Sequence, residues 1–473
     1  MTESLAQIKF GTDGWRAIIA RDFTFANVER VAQAYAQYLK QQSPETKQKV
    51  VVGFDRRFLS EQFARRAAEV VAANGLEIIL FPEAQPTPVI SWAVKDLGAN
   101  GGIMITASHN PATFNGFKIK APWGGSASPE TTSGVEALVD KTTPQRTTTI
   151  SENSELLEPS IERYRHQIRT YVDLDLIRQS GHRVIVDPMH GSAGTWVESF
   201  LSGGKLEVET IRSFRDPLFG GVNPEPIDQN LKPLKQRVVE TKAIVGLATD
   251  GDADRVGAVD DQGRTLTMHD VVPMLLLHLS RSRKMSGAVV VTVSQSVLTK
   301  RIAEAFGLKV YETPIGFKYI ADLMLKDDIL LGAEESGGIG VKGHIPERDG
   351  VLNSLLFLES IITAGKPPSE LLRDLHQEFG EFHFGRRDLH MPVTSGQELV
   401  ANLAAHTPET LTGDKVTEVQ TTDGTKLIFD DESWLLFRQS GTEPMLRIYA
   451  EATSVDKMQR LLDAGTELAR TSS

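Results

Sequence analysis

Cysteine is absent from the 473-residue chain. That absence excludes disulfides, thiolate zinc sites, iron–sulfur clusters and a cysteine nucleophile in one step. Long apolar runs are also missing. None reaches the roughly 18 residues of a membrane span, and the strongest, residues 271–279, is broken by Pro273 and His278. Positive charge is in deficit: 51 Lys+Arg against 62 Asp+Glu gives −11. A uniformly basic nucleic-acid surface is therefore excluded, although a local basic cleft is not. An anionic small substrate requires a concentrated pocket of Arg and Lys to overcome the overall sign. The opening segment, Met1 to Lys9, has no basic start followed by an apolar core, so no secretory signal is expected. With 40% hydrophobic residues, the expectation is a soluble, acidic, cytoplasmic protein that binds neither membrane nor nucleic acid. At about 150 residues per domain the length suggests roughly three domains.

A strand–turn–helix–strand pattern occurs three times. The first case runs from Val50-Val51-Val52 through Asp55-Arg56-Arg57 and a helix over about residues 60–74 to Ile78-Ile79-Leu80. Ser60 is its expected N-cap and Gly75 its stop. The second starts at Val184-Ile185-Val186-Asp187 and passes through residues 190–194 to Leu206-Glu207-Val208. The third runs from Val289-Val290-Val291 through Ser294-Gln295-Ser296 and a helix to about Phe306, then Leu308-Lys309-Val310. Continuous Val/Ile runs suit strands buried on both faces, as in parallel sheets covered by helices. Repetition at about a hundred residues points to three related α/β domains. Residues 142–154, rich in Thr, Ser and Pro, read as a linker, and so does the stretch 379–387. The C-terminal part alternates strand-like runs at 425–429, 434–438 and 446–450 with a closing helix over 455–470, which reads as a smaller α+β domain.

Five segments carry chemistry. In the first, an apolar strand leads into Asp250-Gly-Asp252-Ala-Asp254-Arg255. Three carboxylates at alternate positions repel one another and need a counterion. Oxygen ligands without His or Cys select a hard cation such as Mg²⁺. An EF-hand is excluded, because Arg255 stands at the sixth position and Asp261 at the twelfth. A solvated acidic turn is the plain alternative. Another is Asp250 as a phosphoaspartate nucleophile, as in haloacid-dehalogenase-type phosphatases. In the second segment, the strand ending at Ile105 gives way to Thr106-Ala107-Ser108-His109-Asn110-Pro111. Ser108 thus falls at a strand's carboxyl end, where α/β folds place ligands, although a hydrogen-bonded turn serine fits equally well. Adjacent Ser108 and His109 suggest no serine–histidine relay, which needs facing side chains. The third segment, Arg438 to Arg447, flanks a Ser440-Gly441-Thr442 turn with two arginines, a pattern suited to phosphate. The fourth, Gly332-Ala-Glu334-Glu335-Ser336-Gly337-Gly338, sets two acids and a serine on a glycine loop that could hydrogen-bond sugar hydroxyls. The fifth, Phe10 to Arg16, is a glycine turn ending in a cation.

In this order the five segments resemble the α-D-phosphohexomutase superfamily of phosphoglucomutases and phosphomannomutases, over essentially the whole chain. The resemblance implies an α/β protein of four domains around a central cleft, three related mixed-sheet α/β domains plus a C-terminal α+β domain. They would span residues 1–152 (phosphoserine loop), 153–265 (metal loop), 266–376 (sugar-recognition loop) and 377–473 (phosphate-binding domain). In the family the serine at Ser108 carries the transferable phosphoryl group, which adds about −1.5 to −2 charge. Beside three aspartates that charge calls for Mg²⁺, held by Asp250, Asp252, Asp254 and an oxygen on Ser108. A hexose phosphate is then expected on Arg438, Ser440, Gly441, Thr442 and Arg447, with Glu334 and Ser336 on ring hydroxyls. His109, Lys118 and Lys318 are the candidate proton acceptors. Arg16 and Arg255 would neutralise the phosphoryl group, and His344 and Arg348 would line the cleft.

The implied reaction interconverts hexose 1-phosphate and 6-phosphate through phosphoserine and glucose 1,6-bisphosphate, the latter as intermediate or activator. Phosphomannomutase/phosphoglucomutase sequences of bacteria read Gly-Glu-Met-Ser-Gly-His at the sugar loop. Gly338 stands here where that His would be, and Glu334-Glu335-Ser336 followed by His344-Ile345 and Arg348-Asp349-Gly350 resembles phosphoglucomutases more, which favours glucose over mannose phosphates; the phosphoglucosamine mutase branch has a different serine-loop context. A related outcome is glucose-1,6-bisphosphate synthesis with fructose 1,6-bisphosphate as donor. A sugar-phosphate sensor without phosphoryl exchange is the reading from another class.

Overall fold

The computed structural model describes residues 7–11, 13–42, 48–440 and 444–471. The chain divides into two compact units. The first comprises Met1–Thr265, Ala321–Lys326 and Gly337–Pro368, the second Leu266–Ile320, Asp327–Ser336 and Ser369–Ser473. Among the described residues no helix is long and apolar enough to cross a membrane.

The first unit contains two sheets of one design. Lys49–Phe54 lies parallel to Glu77–Leu80 on one side and to Gly101–Ile105 on the other. Phe114–Lys120 then returns antiparallel to Gly101–Ile105 and pairs with Trp15–Ile18. Val50 and Val52 pack with Val31, Tyr35, Phe63 and Ala67 of the helices Phe25–Gln42 and Ser60–Ala73. The opposite face is closed by Thr87–Asp96, whose Ile90 and Val94 lie against Gly53 and Gly102. Each such fully buried aliphatic side chain contributes about 1.5–3 kcal/mol, which is why the Val runs predict these strands so directly. The second sheet repeats the plan. Arg183–Asp187 sits between Glu207–Thr210 and Val245–Thr249, all parallel, and Val256–Asp260 returns antiparallel to Val245–Thr249. The sheets are thus mixed, not all-parallel. A strand buried on both faces reads the same in sequence whichever way its neighbour runs.

Two local expectations need correction. Ser60 is not an N-cap: Leu59, with φ 61°, precedes the helix, and Ser60 Oγ donates to Asp55 Oδ1 at 2.7 Å. Gly75 does stop that helix, at φ +86°. Nor is 379–387 a linker, because the helix Pro368–Phe379 is followed almost at once by the strand His383–His390, paired with Met445–Ala452 along its length. Residues 142–153, in contrast, form no helix or strand.

In the second unit Ala288–Thr292 lies parallel to Val310–Thr313 and Ile329–Ala333. Ser296 caps the helix Val297–Ala305, its Oγ accepting the Leu298 N–H at 3.1 Å. The C-terminal part is an antiparallel six-stranded sheet in the order His383–His390, Met445–Ala452, Trp434–Gln439, Thr425–Phe429, Asp414–Gln420, Thr410–Leu411. Leu435, Phe437, Ile448 and Ala450 form its core with Leu399 and Leu403 of the helix Val393–Ala405 and Leu461 and Leu462 of Val455–Thr471.

Candidate active site

Both candidate loops of the first unit are connections between a buried strand and its antiparallel return. Gly101–Ile105 runs into residues 106–113, and Val245–Thr249 into residues 250–255. The two loops meet. Ser108 Oγ donates to Asp250 Oδ2 at 2.8 Å. The backbones touch as well: a Cβ on Gly251 would lie 2.5 Å from the Ser108 carbonyl oxygen. Only glycine fits between Asp250 and Asp252.

The three aspartates are fully buried, and one carboxylate oxygen from each lies within 4.8 Å of the others. Asp250 Oδ1 accepts the N–H groups of Asp254 and Arg255 at 3.0 and 3.1 Å. Asp252 Oδ2 accepts from Thr87 Oγ1 at 2.7 Å and Lys118 Nζ at 2.9 Å. Asp254 Oδ2 meets Lys118 Nζ at 3.2 Å and an Arg348 Nη at 2.7 Å. The second oxygens, Asp252 Oδ1 and Asp254 Oδ1, are buried without a hydrogen-bond partner. A buried carboxylate oxygen with no donor is costly, and two beside the Asp250–Ser108 contact suit a hard divalent cation. Burial and the charges of Asp252 and Asp254 push the Asp250 carboxyl well above its ordinary value. Burial also works to raise Asp252, but Lys118 overrides it and holds that carboxyl below the usual range.

Asp13 ties the cations together. It meets Lys118 Nζ at 2.8 Å and an Arg348 Nη at 2.7 Å. Burial disfavours charge on Lys118, yet Asp13, Asp252 and Asp254 outweigh it and raise its pKa above the ordinary value. Lys118 is thus held by three carboxylates beside the serine loop. Beyond it, Lys120 and Glu347 form a fully buried pair at 2.7 Å. Arg16 reaches the serine loop, where its Nη1 donates to Asn110 Oδ1 at 2.6 Å. Burial disfavours charge on Arg255, but Asp250 and Asp254 hold it protonated. His109 Nδ1 lies 3.3 Å from Ser108 Oγ, so adjacency in sequence does not keep the two side chains apart. The left-handed φ of Ser108, 53°, turns them together. Burial, then Arg255 and Arg16, hold the His109 imidazole well below its ordinary pKa.

His344 is placed differently from the expectation that it lines a cleft. Its side chain is 1% exposed, its Nε2 lies 2.9 Å from Asp349 Oδ2, and its ring stacks on Trp92. Tyr164 donates to the same Asp349 oxygen at 2.9 Å. This imidazole belongs to an aromatic core.

Lys318, Glu334, Ser336, Arg438, Ser440 and Arg447 lie in the second unit. Glu334 and Ser440 are buried, and Ser440 N donates to Met445 O at 2.9 Å. Arg438 and Arg447 are cross-strand partners, and Arg438 Nε donates to Asp423 at 2.9 Å. Lys318 Nζ sits 5.0 Å from the Tyr319 ring centre. Gly441 and Thr442 lie outside the described residues. Asp13, Thr87 and Glu347 escaped the sequence reading because each reaches a partner remote in the chain: Asp13 meets Lys118, Thr87 meets Asp252 and Glu347 meets Lys120.

Models of phosphoglucomutase/phosphomannomutase α/β/α domains I, II and III match residues 7–146, 162–263 and 269–379, and the C-terminal domain matches 391–468. A phosphoglucomutase/phosphomannomutase of Thermococcus kodakarensis is 32% identical over 97% of this chain and 98% of its own. A phosphoglucosamine/phosphogalactosamine mutase of Sulfurisphaera tokodaii is 30% identical over 96% of this chain and 97% of its own. The crystal structure of a protein assigned as a phosphomannomutase from Thermus thermophilus superposes with a TM-score of 0.86 at 35% identity, covering 99% of this chain and all of that one. With four domains matched in order and relatives aligned end to end, the chain belongs to the phosphoglucomutase/phosphomannomutase family of the α-D-phosphohexomutase superfamily, enzymes of intramolecular phosphoryl transfer.

Proposed function

We propose that the protein interconverts hexose 1-phosphate and hexose 6-phosphate, preferring glucose, with Ser108 as phosphoryl carrier. The observation that carries this reading is the 2.8 Å contact of Ser108 Oγ with Asp250, beside two buried carboxylate oxygens that lack a donor. Asp250, Asp252 and Asp254 would hold Mg²⁺ together with an oxygen on Ser108. When bound, that ion neutralises the phosphoryl group and polarises its phosphorus for in-line attack.

The residues of the chain do the rest. A hexose phosphate binds through Arg438, Ser440, Gly441, Thr442 and Arg447, while Glu334 and Ser336 hold ring hydroxyls. The free O1 or O6 attacks phospho-Ser108: the new O–P bond forms as the Ser108 Oγ–P bond breaks, giving the 1,6-bisphosphate. The bisphosphate turns and returns its other phosphoryl group to Ser108. Arg16 and Arg255 offset the charge in transit. His109, kept neutral at ordinary pH and 3.3 Å from Ser108 Oγ, acts as the proton acceptor. Gly338 supports glucose over mannose.

Intact-mass measurement after incubation with glucose 1,6-bisphosphate tests the carrier. A phosphate adduct is expected, and it should vanish in Ser108→Ala; an adduct that persists there refutes the assignment. Product analysis with glucose 6-phosphate and fructose 1,6-bisphosphate separates outcomes. Catalytic interconversion of monophosphates is expected, whereas net accumulation of bisphosphate would identify a synthase.

A further inference from the structure

Arg57 follows the strand Lys49–Phe54, in a turn that the sequence marks only as polar. Its side chain is 0% exposed. A guanidinium carries five N–H donors, and five acceptors meet them here. Nε donates to Asp55 Oδ2 at 3.1 Å. Nη1 donates to the carbonyls of Pro111 at 2.9 Å and Phe114 at 3.1 Å. Nη2 donates to the carbonyls of Ser108 at 2.5 Å and Asn110 at 2.8 Å. Three of the five acceptors are thus backbone oxygens of the loop that bears Ser108, and a fourth is that of Phe114, the first residue of the strand that follows it. Asp55 holds the same loop from its other end. Its Oδ2 accepts from Thr106 Oγ1 at 2.7 Å, and Thr106 Oγ1 in turn accepts the Ser108 N–H at 2.9 Å.

Ser108 needs such a grip. A non-glycine residue at φ 53° is unfavourable and persists only where its surroundings over-determine it. That backbone angle brings Oγ to Asp250 and beside His109. We propose that Arg57, with Asp55 and Thr106, is the positioning device that fixes Ser108 in its reactive orientation. This rests on Ser108 being the phosphoryl carrier. Lysine cannot replace arginine here, since an ammonium offers three donors from one point against five in a planar fork. A loosened loop misplaces the reacting oxygen without touching the groups that bind the hexose phosphate, and a misplacement near 1 Å costs about 100-fold in rate.

The test uses Arg57→Lys in the full chain, with turnover of glucose 1-phosphate and amide hydrogen exchange followed together. A fall in kcat of about 100-fold is expected, with KM within about threefold and amide exchange over residues 106–114 faster by about tenfold or more. A folded variant with unchanged kcat, or with exchange across 106–114 equal to the parent, overturns the proposal. Should Arg57→Lys fail to fold, Thr106→Val and Thr106→Ser decide it: kcat should fall in the first and recover in the second, and equal rates in both refute it. Absence of phosphoryl exchange in the parent would sink the carrier reading instead, leaving the exchange rates to judge whether Arg57 holds the loop.

Discussion

Asp252 Oδ1 and Asp254 Oδ1 are the atoms on which the metal assignment turns, because each is buried without a donor while its sister oxygen is engaged by Lys118. A ligand that binds only the folded state stabilises it by about 2.7 kcal/mol at a hundred times its Kd. Addition of Mg²⁺ to chelator-treated protein should therefore raise the melting temperature. Asp252→Asn should remove most of that rise and cripple turnover while leaving sugar-phosphate binding largely intact. A thermal shift of equal size in the variant would count against the triad as the metal site. The triad was legible in sequence because three acids at alternate positions have few other physical excuses. Its counterions were less so. Asp13 meets Arg348 across 335 residues of chain, and no local pattern records such a contact. Lys118 was visible, but its partners were not: Asp13, Asp252 and Asp254 surround it from remote parts of the chain.

At the scale of elements, the two loops are equivalent pieces of equivalent sheets, each the link between a buried strand and its antiparallel return. Their contact is backbone to backbone at Gly251. Side-chain carbons essentially never approach an oxygen as closely as the 2.5 Å that an alanine Cβ would require there, so one loop must yield. Gly251→Ala should lower kcat by about 100-fold or more, measured beside an intact-mass check for loss of the phosphate adduct. Turnover at the parental rate would mean that the loops are not pressed together in solution. Strands with continuous Val or Ile were readable because burial on both faces leaves no other composition. His383–His390 was not: it carries Arg386, Arg387 and Asp388, and its exposure alternates along a sheet edge. The helix Val393–Ala405 was likewise missed, with Gly396 and two threonine or serine positions diluting its apolar stripe. His344 shows the opposite error. A histidine in a glycine-bounded polar segment looks accessible until Trp92 and Tyr164 are found closing over it.

Whole-chain organisation was legible as repeats and a distinct C-terminal part, but the joints between domains were not. Within the second unit, the third α/β match and the C-terminal match are joined at Glu451, which is fully buried on Met445–Ala452. Its carboxylate accepts from Ser296 Oγ at 2.6 Å, the Val297 N–H at 2.9 Å and Trp434 Nε1 at 2.9 Å, and lies 2.8 Å from His269 Nδ1. Three of these four partners belong to the third domain, with Ser296 155 residues away in the chain. Burial acts to raise the Glu451 pKa, but His269 and the donated hydrogen bonds outweigh it, so the folded value lies below the ordinary 4.5. A depressed carboxyl contributes stability above its unfolded pKa and loses it as pH falls through the folded one. Glu451→Gln turns one acceptor oxygen into a donor, and each buried donor left unmatched costs about 1–3 kcal/mol. Calorimetry should show a lower transition for the variant at pH 7 and a shallower loss of stability on acidification below about pH 4.5. If the variant instead melts like the parent at both pH values, Glu451 does not join these two domains energetically, and their shared core must be sought in the apolar contacts alone.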